Sequence, residues 1–207
     1  MRIDKIIVGS MQVNCYIVSS EKTGNALLID PGDDFKRIQK FLQLSKLNPC
    51  FIVHTHGHID HIGADNEFKL PIYAHKLEIE LLKEPDRNLS SFLTRPFKVS
   101  ANINSVEDAQ KITLDDITLE VLHTPGHTPG GICLDAGGVI FTGDTLFAGS
   151  VGRTDFSGAS HEQLIKSIHD KLLRFADDTV IYPGHGAPST IGEEKRNNPF
   201  LKVKYQV

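Results

Sequence analysis

Two packed β-sheets flanked by helices, an α+β arrangement, is the architecture this chain predicts. Short apolar strands dominate both ends of the element order, and helical patterns follow the first and the last strand groups. That distribution fits stacked sheets better than a doubly wound parallel sheet. The 207 residues suit a single domain spanning 1–207 with a substantial core, and no repeat, low-complexity tract or interdomain linker interrupts them.

Ile3 to Val8, Val13 to Val18 and Ala26 to Ile29 read as three strands, with Glu21 to Asn25 as hairpin punctuation between the last two. Asp30-Pro31-Gly32 stops the third. Phe35, Ile38, Phe41 and Leu42 fall at helical spacing and predict a helix over 34–46. Cys50 to Val53 is a short buried strand, so this stretch reads β-α-β. Further on come a short helix at Asp65–Lys69, a strand at Leu70–Ala74 and a helix at His75–Lys83. Residues 84–105 hold two prolines and no clear period, which predicts an irregular excursion or lid. Asp116 to Leu122 alternates as a half-buried strand should. Gly130–Leu134 and Gly138–Thr142 form a strand pair. Ser160 caps an amphipathic helix reaching Phe175, and Thr179–Tyr182 is the last strand.

A net charge of −4 gives no reason to expect nucleic acid or an anionic membrane as partner. Met1 to Lys5 lack the apolar core of a signal peptide and no run approaches transmembrane length, so the cytoplasm is expected. Cys15, Cys50 and Cys133 are widely spaced, form no CxxC pair and sit in apolar stretches, which predicts buried, inert thiols. The compositional oddity is ten histidines with no tryptophan.

Those histidines cluster. His54-Thr55-His56-Gly57-His58-Ile59-Asp60-His61 follows the Cys50–Val53 strand. Side chains two apart on an extended segment point the same way, so His54 and His56 can converge on one ion, while Asp60 and His61 can aim at a second point nearby. Imidazole and carboxylate ligands suit zinc, iron or manganese better than calcium or magnesium. His127, Asp144 and His185 each sit in a Gly/Pro turn after an apolar run. Five histidines and two aspartates exceed what one tetrahedral ion takes, and a closed structural zinc site would favour cysteine. Seven ligands fit two ions sharing one carboxylate, ~3.5–4 Å apart with a hydroxide between them.

The HxHxDH loop, His127, Asp144, His185 and the turns around them resemble the metallo-β-lactamase superfamily, and within it glyoxalase II and its short bacterial relatives. The resemblance covers essentially the whole chain. It implies an αββα sandwich, the metallo-β-lactamase fold, with the site at the sandwich edge. It also implies two divalent ions, zinc first with iron or manganese as alternatives. His54, His56 and His127 would hold one ion, Asp60, His61 and His185 the other, and Asp144 would bridge. His58 is expected outside the ligand set. His123 competes with His127 on spacing alone, and the resemblance favours His127. His75, His161 and His169 are expected on helix surfaces. Asp30 is either turn chemistry or a buttress of the ligand loop.

A hydroxide between two ions points to hydrolysis, with Asp60 and Asp144 as the candidate catalytic carboxylates. A thiolate leaves unaided whereas an amine needs a placed acid, and no separate acid is apparent. The resemblance implies a small-molecule thioester substrate, S-lactoylglutathione or a related S-acyl thiol. Arg153 matches a basic, glutathione-touching position, although the family's aromatic residue two places on is Asp155 here, and an Arg153–Asp155 ion pair is the plainer reading. The tail from Asn198, with Lys202 and Lys204, resembles the segment that opens the helical C-terminal domain of long glyoxalase II, most of which is expected to be missing. A mono-iron persulfide dioxygenase using His54, His127 and Asp144, or a lactonase on the same metal core, is the alternative. Antibiotic hydrolysis and RNA processing fit less well, and a non-enzymatic scaffold would show missing ligands.

Overall fold

The apolar runs of the first half assemble into one six-stranded sheet in the computed structural model, which describes residues 1–202. Its strands are β1 (Arg2–Val8), β2 (Val13–Ser19), β3 (Asn25–Ile29), β4 (Asn48–Val53), β5 (Ile72–His75) and β6 (Ile103–Val106), lying side by side in chain order. Short turns make β1, β2 and β3 antiparallel. From β3 to β6 the pairing is parallel, which requires crossovers. These are supplied by α1 (Phe35–Leu44), by α2 (Ile59–Ile62) with α3 (Asp65–Phe68), and by α4 (Ile79–Lys83) with α5 (Ser90–Leu93).

The second sheet takes β7 (Lys111–Leu114), β8 (Ile117–His123), β9 (Ile132–Asp135) and β10 (Val139–Gly143). A small ribbon of β11 (Leu146–Phe147) and β12 (Ser150–Val151) follows, then α6 (His161–Ser167), β13 (Val180–Pro183), β14 (Ser189–Thr190) and α7 (Ile191–Asn197). The spatial order is 14-13-10-9-8-7, with β10 and β13 parallel and the other pairs antiparallel.

Alternation along the strands decides which layer each side chain joins. In β2, Tyr16 and Val18 face the second sheet, where they meet Leu119, Val121, Leu134 and Phe141. Cys15 and Ile17 face the other way, toward Ile38 and Leu42 of α1. On the far side, Leu122, Cys133, Ile140 and Ile181 pack on Leu164, Ile165 and Ile168. Four layers result, helix–sheet–sheet–helix, and the expected αββα sandwich is the observed one.

Several expectations need correction. β6 begins inside the stretch read as irregular, and Ile103-Asn104-Ser105-Val106 has too few apolar residues to announce an edge strand. β7 is only four residues long, and β14 pairs through two positions after the strand expected to be last. His75 ends β5 instead of opening a helix, is buried, and stacks on His123 at 4.0 Å. Cys50 is half-buried at the start of β4, while Cys15 and Cys133 are buried as expected. Ser160 does cap α6, accepting from Gln163 N at 3.3 Å, but the helix then widens into a π turn over Ile168–Leu172. Lys204 lies outside the described residues.

The loop from β8 is anchored on α6. Gly126, at φ +143°, lies against the backbone of Leu164, where a Cβ would collide with its nitrogen and Cα. Its carbonyl accepts from Ser160 N at 2.8 Å. Gly126→Ala is expected to cost at least about 2 kcal/mol of folding stability, read as a lowered urea midpoint.

Candidate metal centre

Loops leaving the carboxyl ends of β4, β8, β10 and β13 meet at one edge of the sandwich. They carry, in order, the 54–61 segment, His127, Asp144 and His185. His56 lies centrally, its ring 4.1 Å from that of His61 and 4.7 Å from that of His127. His58 stands 4.7 Å from His127, ring to ring, and its Nδ1 is 3.0 Å from His127 Nε2. Three overlapping side-chain groups emerge among the described residues: His56 with His58 and His127, Asp60 with His61 and His185, and Asp30 with His56 and His61, the last joining the other two from behind. Asp144 lies between the first two. Its Oδ1 is 3.5 Å from His61 Nε2, and its Oδ2 is 3.7 Å from both His127 Nε2 and His185 Nε2. Asp60 Oδ2 is 3.4 Å from His185 Nε2 and 3.6 Å from His61 Nε2.

The first group differs from the expected one. His54 is not part of it, and His58, expected outside, is. β4 ends at Val53, and His54 N still donates to Tyr73 O, so residue 54 keeps to the strand line and its ring passes beneath the loop. There it is fully buried, with Nε2 2.8 Å from Asp65 Oδ2 and Nδ1 3.4 Å from Asp30 Oδ1. Both ring nitrogens are engaged by carboxylates, which leaves none for the centre. The rule that residues two apart share a face stops applying where the strand stops. The three-member set His54, His127 and Asp144 is likewise not assembled. A sequence signal for the right register existed: counted back from the adjacent Asp60-His61, the HxHxDH spacing begins at His56 and includes His58.

Hydrogen bonds behind the rings aim them. His61 Nδ1 donates to Asp30 Oδ2 at 3.0 Å, His127 Nδ1 to the carbonyl of Arg153 at 2.7 Å, and His185 Nδ1 to Met11 O at 3.1 Å. His56 Nδ1 lies 3.2 Å from Thr55 Oγ1, which itself donates to Asp30 Oδ2 at 2.6 Å. In each case the bonded Nδ1 turns Nε2 toward the shared centre. Asp30 therefore buttresses the ligand loop, beyond any turn role. Glu78 and Asn14 were not singled out by sequence. Buried Glu78 accepts from Gly57 N at 2.8 Å and from Gly130 N at 2.7 Å, joining the histidine loop to the His127 loop. Asn14 donates to the carbonyls of Pro183 and Gly186, clamping the His185 turn. His123 is directed to Pro129 O, away from the centre.

The donor set fits divalent ions. His56 Nε2, His61 Nε2 and Asp144 Oδ1 are buried without a hydrogen-bond partner, and the last two lie 3.5 Å apart. The separations of about 3.4–3.7 Å approximate the edges of a tetrahedron with bonds near 2.0–2.1 Å. Charge is matched as well. Burial pushes His58 down to about 3, with neighbouring His127 adding to the effect, so its ring stays neutral, the form a ligand imidazole takes. Burial would also lower His61, but Asp60, Asp144 and Asp30 raise it to about 10. That carboxylate-rich surrounding calls for positive charge, which a proton or bound cations can supply.

Arg153 lines the cavity above the centre, but its guanidinium forks onto Asp155 at 3.0 and 2.7 Å. The ion-pair reading is the geometry observed, and it is the backbone carbonyl of Arg153 that supports the site.

A sandwich with His/Asp clusters at its edge defines a metal-dependent hydrolase class. The sequence profile of the metallo-beta-lactamase superfamily matches residues 8–185, from the end of β1 to His185, and the chain belongs to that superfamily. It is 37% identical over 217 residues to the hydroxyacylglutathione hydrolase GloC of Haemophilus influenzae, covering 99% of this chain and 100% of that protein. Its structure is similar to that of the BLEG-1 B3 metallo-beta-lactamase, with a TM-score of 0.91, 37% identity and coverage of 98% and 100%. It is also similar to TTHA1623 in a di-iron-bound form, with a TM-score of 0.84, 34% identity and coverage of 96% and 100%. The glyoxalase II-like resemblance therefore holds. No helix among the described residues is long and apolar enough to cross a membrane.

The exchange of His54 for His58 is testable. His58→Ala is expected to lower the metal bound per chain relative to the wild type, with less than about 1 kcal/mol change in the stability of the metal-free protein. His54→Ala is expected to do the reverse. It strands the buried Asp65 carboxylate, lowers stability by about 3–5 kcal/mol, and leaves the metal content of the folded fraction near the wild-type value. Elemental analysis alongside urea unfolding reads both.

Proposed function

We propose that this protein is a binuclear thioesterase of the glyoxalase II type, acting on S-lactoylglutathione or a related S-acyl thiol. The observation that carries the reading is Asp144 set between two three-residue groups on the floor of an open cavity. In this reading His56, His58 and His127 would hold one ion and Asp60, His61 and His185 the other, with Asp144 placed to serve either. Two divalent ions bound there supply Lewis acidity and bring water to a pKa of about 7.

The chain's own groups divide the remaining work. The Asp60 carboxyl would be raised by burial, but His61 and His185 hold it well below the usual carboxylate range. It therefore stays an acceptor at neutral pH, able to orient a water and take its proton at Oδ2. The bonds from Asp30, Thr55, Arg153 O and Met11 O keep the imidazoles from rotating as charge builds. Among the described residues, the cavity wall presents no lysine or tyrosine that could protonate a departing amine. A thiolate, with a thiol pKa of about 8.5, leaves without that help, which favours a thioester over an amide. The name of the GloC relative supports the same choice. The seven-membered arrangement favours hydrolysis over a one-iron oxidoreductase, and a small molecule, neither nucleic acid nor membrane, is the proposed partner.

A second reading is β-lactam hydrolysis, favoured by the name of the BLEG-1 relative. It requires protonation of a leaving nitrogen, for which the lining residues offer no dedicated acid.

Steady-state hydrolysis of S-lactoylglutathione, with metal content measured on the same sample, tests the proposal. Turnover with about two ions per chain is expected, falling at least about 10²–10³-fold in His56→Ala and Asp144→Ala. Two bound ions with no turnover of this substrate would discard glutathione thioesters, and hydrolysis of a chromogenic cephalosporin instead would shift the assignment to the second reading.

A further inference from the structure

The cavity over the centre, about 440 Å³, combines a charged floor with an apolar wall. Met11, Leu89, Phe92, Leu93, Phe147 and Phe156 form that wall. Phe156 sets its ring 5.2 Å from His58, and Phe147 lies 6.2 Å from His185, so an aromatic flanks each ligand group. At the mouth, Phe92 is 74% exposed, Leu93 53% and Met11 48%. Large apolar side chains gathered at one rim mark a binding surface more often than scattered exposure does.

The rim is a built feature. Leu89 takes a left-handed φ of +69°, an uncommon conformation for a branched residue, and turns the chain into α5. Buried Asn88 holds that turn. Its Oδ1 accepts from Ser90 N at 2.9 Å, its Nδ2 donates to Phe97 O at 2.9 Å, and its carbonyl accepts from Ile59 N at 2.9 Å. The last bond ties the Phe92–Leu93 ridge to the start of α2, next to Asp60. A cavity of this size suits a ligand with a medium-sized apolar arm.

Charge on the wall points the same way. Arg153 is the one cation among the lining residues, and its guanidinium is engaged by Asp155 and lies 4.8 Å over the Phe156 ring. Among the described residues of this wall, the carboxylates of an anionic thiol arm find no free cationic partner.

We propose, resting on the thioesterase reading, that the preferred substrate is a thioester with an apolar, medium-sized acyl group lying between the Phe92–Leu93 ridge and Phe147 and Phe156, on an uncharged thiol. The C–S bond breaks and a C–O bond to water oxygen forms, giving a carboxylate, a free thiol and one proton released to solvent.

The test measures kcat/KM of the metal-loaded protein for acetyl, butanoyl and hexanoyl thioesters of N-acetylcysteamine, with S-lactoylglutathione alongside. The expected result is a rise of about fourfold per methylene, carried mainly by KM, with the hexanoyl ester ahead of S-lactoylglutathione. In Phe92→Ser/Leu93→Ser, both exposed positions, the slope should fall below about twofold per methylene. A flat or falling wild-type series, a lead for S-lactoylglutathione, or an undiminished slope in the double variant overturns the inference while leaving the thioesterase intact. Absence of turnover across every thioester overturns the thioesterase reading and this inference with it.

Discussion

Asp30 lies fully buried where β3 stops, in a left-handed conformation at φ +50°, and the site depends on what its two oxygens hold. It accepts from the backbone and hydroxyl of Thr55, fixing the residue between His54 and His56, and from Nδ1 of His61. One carboxylate thus sets the start of the histidine loop and the aim of a ring at its end. Burial would favour its neutral form, but the bonds from His54 and His61 hold it well below the usual carboxylate range, so it remains charged and bonded. Placed behind the ligands, it orients imidazoles without competing for the centre.

The sandwich makes such an arrangement possible because four loops leave four strands at the same edge. Packing brings the loops near one another, and specific bonds then join them. Glu78 bridges the histidine loop and the His127 loop, Tyr16 and Asn14 reach from the first sheet to Pro183 O, and α6 supports the turn before His127. Gly184 allows a close approach, since a Cβ there would collide with Asp144 Oδ1 and crowd His61. Rigid sheets supply position, and buried polar bonds supply aim.

Beneath the loop, His54 between Asp30 and Asp65 is a buried charged cluster with no room at the centre itself. Burial would lower its pKa, but the two carboxylates raise it to about 9 and keep it a cation. Its role is to bond both carboxyls: it gives Asp30 and Asp65 each a buried partner, while burial itself pushes Asp65 up. Above the loop the environment inverts. An apolar-walled cavity, open at its mouth, rises over a floor of histidines and carboxylates.

The sequence by itself determined the layer pattern and most of the site's chemistry. Period-two strands and the helical spacing of Phe35, Ile38 and Leu42 describe local backbone geometry, which local residues control. His56, His127, Asp144 and His185 were legible because each lies in a turn-rich stretch just after a strand, and Asp60 and His61 because they close the same histidine loop. Even the inclusion of His58 was present in the spacing back from Asp60-His61. Tertiary structure decided which histidine faces the centre and which lies beneath it, because that depends on where β4 stops and where Asp65 lies. It also decided the roles of Glu78, Asn14 and the Leu89–Leu93 ridge. Their partners are 21 to 172 residues distant or lie across a cavity, beyond the reach of any local period. Periodicity tells which face of an element is buried. Only packing tells which loops meet there.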